Sequence, residues 1–145
     1  MKIAIGNDHA GFELKLKLQA FLAELGFEIV NHGSDTGDSV DYPDFVWPVV
    51  ESVESKTVNF GILICGTGQG VGMTANKDKN IRAAVCWNKE IASLARRHND
   101  ANVLCLPAHY LTEREMNSIV LNFLNTRFDG GRHFNRIVKM TSVIK

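Results

Sequence analysis

The chain has 145 residues, enough for one domain with a proper core, and is read as a single domain over 1–145. Sixteen basic side chains balance sixteen acidic ones, which removes the electrostatic case for nucleic acid or an acidic membrane surface as partner. The apolar runs fall short of a membrane span, and Met1 leads straight into a strand-like segment without a signal-peptide core. A cytoplasmic protein with Cys65, Cys86 and Cys105 reduced is therefore expected.

Residues 2–5 read as a short strand ending at Gly6, followed by Asn7-Asp8-His9-Ala10-Gly11. Leu14, Leu18, Phe21, Leu22 and Leu25 then mark one face of a helix that Gly26 stops. Asp8 and His9 thus fall where a strand gives way to a helix, although Asp8 could simply be a cap. Residues 28–32 form a second strand candidate, and a polar loop, 33–41, follows. Tyr42-Pro43-Asp44 opens a helix with Val46, Val49, Val50 and Val53 inside. With Asp44 as N-cap, Pro48 would sit at the edge of the first turn.

Residues 59–64 are an apolar run that leads into Cys65-Gly66-Thr67-Gly68-Gln69-Gly70, and residues 71–79 can be helical. Strand candidates at 81–86 and 103–106, the latter closed by Pro107, flank a helix at 88–97 with Ile91, Leu94 and Ala95 inward. That helix ends in a dense polar cluster, Arg96-Arg97-His98-Asn99-Asp100. Thr112 and Glu115 have the spacing of a capping box before a helix whose apolar face is Ile119, Val120, Phe123 and Leu124. After Gly130-Gly131 a last helix should run to about residue 143, with Arg132 and Arg136 on one face. Five strand–helix alternations with short connections predict a three-layer, Rossmann-like α/β sandwich. Its five-stranded parallel sheet would carry helices on both faces, and the C-terminal helix would reach toward a partner subunit.

Gly66, Gly68 and Gly70 make a loop whose backbone amides, followed by a helix, favour an anion. Cys65 at its head would be activated by the same dipoles, or would be an inert buried thiol, or the glycines could form a plain turn. Glycine offsets of 0, 2, 4 and 6 fit neither a dinucleotide fingerprint nor a P-loop. No metal site of recognisable spacing is present. An anion loop with a thiol, an Asp-His pair, a His-Asn-Asp cluster and an arginine pair suit proton abstraction beside a carbonyl of a phosphorylated substrate. A cysteine phosphatase would need an arginine inside the loop, and none lies between Cys65 and Lys77.

Six stretches together resemble the type B ribose-5-phosphate isomerases, a family that includes the galactose-6-phosphate isomerase subunits. These are Asn7-Asp8-His9-Ala10-Gly11, Asp41-Tyr42-Pro43, the Cys65–Gly70 loop, Ala75-Asn76-Lys77, the run from Arg97-His98-Asn99-Asp100 to Leu104, and Gly130-Gly131-Arg132-His133. The resemblance spans nearly the whole chain. It implies conversion of D-ribose 5-phosphate to D-ribulose 5-phosphate through a cis-enediolate, with neither metal nor cofactor, in the pentose phosphate pathway.

The resemblance makes Cys65 the base, with Thr67 and the amides of Gly66, Gly68 and Gly70 stabilising the enediolate. His98 would open the sugar ring, Asp8 would polarise the ring oxygens and Asn99 would bind a hydroxyl. His9, Arg132 and Arg136 would hold the phosphate, and Tyr42 would line the pocket. His109 stands where many members have a further phosphate-binding arginine, so phosphate affinity should follow imidazole protonation. Cys86 and Cys105 are expected in the core. The resemblance also implies sites shared between two subunits, hence a homodimer or a pair of dimers, with a sugar phosphate as the small-molecule partner. The alternatives are an isomerase of allose 6-phosphate or galactose 6-phosphate, and a non-catalytic sugar-phosphate-binding protein.

Overall fold

The computed structural model describes residues 1–142, so residue 143, the expected helix end, lies outside the described residues. Five parallel strands, β1 (Lys2–Asn7), β2 (Glu28–Asn31), β3 (Phe60–Cys65), β4 (Ala83–Val85) and β5 (Val103–Pro107), form one sheet. Their order is β2-β1-β3-β5-β4. Six helices accompany them: α1 (Phe12–Glu24), α2 (Pro43–Glu54), α3 (Gln69–Ala75), α4 (Lys89–Asn99), α5 (Glu113–Asn125) and α6 (Arg132–Ser142). Among the described residues no helix is long and apolar enough to cross a membrane.

Strand alternation divides the core into two layers. Ile3, Ile5, Ile62, Ile64, Leu104 and Leu106 point to the face covered by α1, α4 and α5, where Leu18, Leu22, Met116, Ile119, Val120 and Phe123 meet them. Ala4, Leu63, Cys65, Val103 and Cys105 point to the other face, under Val46, Val49, Val50 and Val53 of α2 and Val71 and Ala75 of α3. Near-continuous apolar strands are what a parallel sheet covered on both faces requires. The expected α/β sandwich is the observed fold. Cys86 and Cys105 are fully buried core residues.

Several local expectations are corrected. The N-cap of α2 is Tyr42, not Asp44, because Pro43 with its fixed φ takes the first helical position. Pro48 therefore lies inside the helix and denies a donor to the carbonyl of Asp44 four residues back, on an exposed side where water can serve it. The helix after the glycine loop starts at Gln69 and stops at Ala75, and residues 76–81 continue as turns closed by Lys77 N–H to Thr74 O and Ile81 N–H to Asp78 O.

The edge strand β4 is only three residues long. Side-chain amides stand in for a ladder at its start: Arg82 N–H donates to Asn102 Oδ1 and Ala83 N–H to Asn76 Oδ1, both at 2.8 Å. In α4, Leu94 faces out, and Ala92 and the aliphatic part of Arg96 fill the inner face with Ala95. The Arg96 guanidinium lies 4.8 Å from the Phe60 ring centroid, and its Nη1 donates to Ala101 O at 2.6 Å. A cation over an aromatic face with its donors used is compatible with burial. The expected capping box on α5 is present: Thr112 Oγ1 accepts from Glu115 N–H at 3.2 Å, and Glu115 Oε2 accepts from Thr112 N–H at 2.8 Å. The Thr112 N–H and, at 2.9 Å, the Thr112 hydroxyl both donate to Glu115 Oε2 and hold that carboxyl below its usual range.

Candidate active site

The strand order creates the crevice. From β1 the chain crosses to β2 on one side, then returns past β1 to β3 on the other, so a gap opens at the carboxyl ends of β1 and β3. Asn7, Asp8 and His9 reach it from β1, and Cys65 with its glycine loop from β3. A short 3-10 turn after β5 (Ala108–Tyr110) brings His109 beside them.

Cys65 is the last residue of β3 and is 4% exposed. The loop after it turns on Gly68, whose φ of +72° is the left-handed conformation that a side chain would strain. That turn aims the Gly68 N–H at Cys65 Sγ, 3.2 Å away, so a donor already faces the sulfur. The sulfur thus sits at the head of the loop, with a backbone donor beside it. Burial pushes the Cys86 thiol up to about 12 and the Cys105 thiol further still, which silences both.

The loop is held from two sides. His109 N–H donates to Gly66 O at 3.0 Å, and a Cβ on Gly66 would lie 2.7 Å from His109 Nε2. A Cβ on Gly70 would lie 2.5 Å from Tyr42 Cζ, so the tyrosine ring rests directly on the loop. Thr67 is exposed at the tip, and its Oγ1 accepts from Gln69 N–H at 3.3 Å. Gly70→Ala must displace the Tyr42 ring. It is expected to lower kcat/KM by about tenfold or more while Tm stays near the parent value. Steady-state kinetics beside a melting curve checks this, and an unchanged kcat/KM would refute the tyrosine's part in the site.

Asp8 is buried, its carboxylate accepts from Gly11 N–H at 3.1 Å, and its own N–H donates to Ile64 O at 3.2 Å. It is therefore a cap, and the cap is fastened to the residue before Cys65. His9 is exposed, and its Nδ1 accepts from Val40 N–H at 3.2 Å. Two residues that sequence reasoning passed over secure the polar loop behind them. Asn7 Nδ2 donates to Asp8 O at 2.9 Å and Ser34 O at 3.0 Å. Lys15, wholly buried, donates to Ser34 O at 2.7 Å and pairs with Asp35, whose carboxyl that bond holds below the ordinary range. Its position on the stripe with Leu18 and Leu22 was the available signal.

His98 and Asn99, with Arg132 and Arg136 of the helix packed beside them, lie toward the opposite end of the strands. Helix α4 runs back from the end of β4, so His98 and Asn99 fall near the start of β5, where Gly61 N–H donates to Asn102 O at 3.0 Å. Cys65 pairs in register with Pro107, at the far end of β5. Four strand steps separate the two levels, roughly 13 Å. One chain therefore does not bring His98 to Cys65.

The His98 ring instead stacks on His133, with centroids 4.4 Å apart and planes at 9°. Arg132 and Arg136 are exposed on the adjacent face of α6. Asp129 completes a group of ligand-type side chains whose atoms lie within 4.8 Å of one another, and Arg97 Nη2 pairs with its carboxylate at 3.1 Å. Donor type alone would suit a divalent ion, but Arg97 already engages the only carboxylate of the group, and Arg132 and Arg136 add positive charge.

The family model described as Ribose/Galactose Isomerase matches residues 3–140. The chain belongs to that family. A ribose 5-phosphate isomerase of Thermotoga maritima superposes with a TM-score of 0.96 at 48% identity, covering 98% of each chain. The ribose-5-phosphate isomerase B of Escherichia coli is 40% identical over 142 residues, 98% of this chain and 95% of that one. The Mycoplasma genitalium ribose-5-phosphate isomerase B, solved with ribulose-5-phosphate bound, superposes with a TM-score of 0.92 at 43% identity, over 97% of this chain and 93% of that one.

Proposed function

We infer that this chain interconverts D-ribose 5-phosphate and D-ribulose 5-phosphate through a cis-enediolate. The observation that carries the inference is the Gly68 N–H held 3.2 Å from Cys65 Sγ, at the head of a glycine-rich loop. Cys65 thiolate takes the proton from C2 of the open aldose and returns it to C1, while the hydroxyl proton passes from O2 to O1. Negative charge growing on the oxygens is met by the loop amides and Thr67, preorganised donors of the kind that stabilise an enediolate best. His9, Arg132 and Arg136 hold the phosphate, Tyr42 closes the pocket over Gly70, and His109 backs Gly66. Phosphate binding remote from the reacting carbons orients them.

Ring opening falls to His98, with Asp8 polarising the sugar oxygens and Asn99 holding a hydroxyl. Because His98 lies toward the end of the strands away from Cys65, it serves the thiol of a second copy, and the working unit is a homodimer. The exposed apolar stripe of α6, with Phe134 57% and Val138 48% exposed, is consistent with such a partner. The chemistry needs no metal.

Ketose formation from ribose 5-phosphate in the presence of excess chelator tests the reading, beside allose 6-phosphate and galactose 6-phosphate. Activity on the pentose that survives chelation is expected. Turnover of a hexose phosphate alone would move the substrate to six carbons, and no turnover of any would refute the enzyme.

A further inference from the structure

His133 has no part in the chemistry above, yet it is the most closely engaged side chain of α6. It stands in the first turn of the helix, is 7% exposed, and lies flat on the ring of His98. His98 itself is a half-buried residue in the last turn of α4, and no hydrogen bond of its side chain fixes its ring among the described residues. An imidazole in such a position can take several rotamers unless another plane confines it.

Resting on the proposed function, we propose that His133 is a positioning residue for ring opening: stacked on His98, it fixes that imidazole in one orientation and ties it to the helix that holds the phosphate. Arg132 and Arg136 flank His133 in sequence, so phosphate bound to them orders the same first turns of α6 that carry the stacking ring. Substrate seated by its phosphate thereby finds the acid–base imidazole already aimed.

The charges around His133 agree with a neutral, stacking role. Burial is the largest influence holding its proton affinity down, followed by His98 on α4 and by Arg132 and Arg136 on α6, with Asp129 opposing. Arg97, also on α4, draws off that carboxylate through Nε at 3.3 Å and Nη2 at 3.1 Å. A phosphate dianion on Arg132 and Arg136 offsets their positive charge beside the His133 ring. The orientation of His98 and the occupancy of the phosphate site become linked through one ring.

The test separates ring chemistry from proton abstraction. Ribulose 5-phosphate cannot close to a furanose, since its O5 carries the phosphate, and deuterium incorporation at its C1 from D2O needs only the enediolate step. His133→Ala is expected to lower kcat for ribose 5-phosphate by on the order of 10- to 100-fold, with deuterium incorporation within about twofold of the parent. His133→Phe keeps a plane on His98 and should restore most of the lost kcat. Equal loss of both reactions, or no loss of either, overturns the proposal, as does a phenylalanine variant no better than alanine. His98→Ala measured alongside reports on the underlying reading: if it retains ribose 5-phosphate turnover, His98 does not open the ring and the proposal falls with that assignment. Loss of turnover in His98→Ala with none in His133→Ala refutes the positioning role alone.

Discussion

Cys65→Ala is expected to reduce ribose 5-phosphate isomerisation by about 10³-fold or more, with the fold intact. The residue ends β3 with 4% exposure, and its sulfur faces the Gly68 amide across 3.2 Å. Alanine removes one heavy atom at the rim of the core, so the stability cost is that of a small cavity, about 1 kcal/mol. Chemistry, by contrast, loses the base assigned to C2 and C1, and water at neutral pH cannot replace it. Cys65→Ser should be nearly as inactive, because a hydroxyl is not deprotonated by one amide donor. Rates of ketose formation beside thermal melts decide the matter. Retention of more than a tenth of parental activity by the alanine variant would remove the thiol from the mechanism.

Alkylation gives the same assignment without mutation. Cys86 and Cys105 are fully buried, and burial has pushed the Cys86 thiol up to about 12 and that of Cys105 higher, so neither offers thiolate between pH 7 and about 9. Iodoacetamide should label Cys65 alone, and ribose 5-phosphate should protect it. Labelling of the other two would mean that the fold opens, and labelling of none would make Cys65 an inert core residue.

The α/β sandwich was legible because its three central strands, β1, β3 and β5, are covered on both faces. Ile3, Ile5, Ile62, Ile64, Leu104 and Leu106 belong to one layer and Ala4, Leu63 and Val103 to the other, and such runs admit few other structures. Local errors arose where a tertiary partner outweighed the local pattern. Side-chain amides of Asn76 and Asn102 take over the hydrogen bonds at the start of β4, so an apparently longer strand shrinks to three residues. Arg96 turns inward because Phe60 and Ala101 receive it, which displaces Leu94 to the surface.

The site was legible in its residues but not in its partition. Glycines two apart reveal a tight loop, yet not that Tyr42 and His109 press on Gly70 and Gly66 from segments far apart in sequence. Nor could composition expose the His98–His133 stack, since it depends on α6 folding back against α4. The structural neighbours share the sheet and helices around these residues.

Mixing two inactive variants should restore activity. In Cys65→Ala the thiol is missing and His98 intact; in His98→Ala the reverse holds. The two groups sit at opposite ends of the strands, roughly 13 Å apart along β5 by strand rise alone, so neither chain can assemble both around a single sugar. A two-fold dimer that brings one protomer's α4–α6 edge to its partner's glycine loop solves this. In a mixed dimer one of the two sites then receives both intact groups, and the other receives neither. Random association makes half of all dimers mixed, so co-expressed or co-refolded variants should recover about a quarter of the parental rate. Native mass spectrometry of the same sample gives the mixed fraction, against which the rate is scaled. Mixed dimers with no activity above that of the separate variants would mean that each site is complete within one chain, and His98 would lose its place beside Cys65. Recovery proportional to the mixed fraction would make the isolated subunit incapable of isomerisation by geometry alone, because the sheet itself keeps its ring-opening group away from its base.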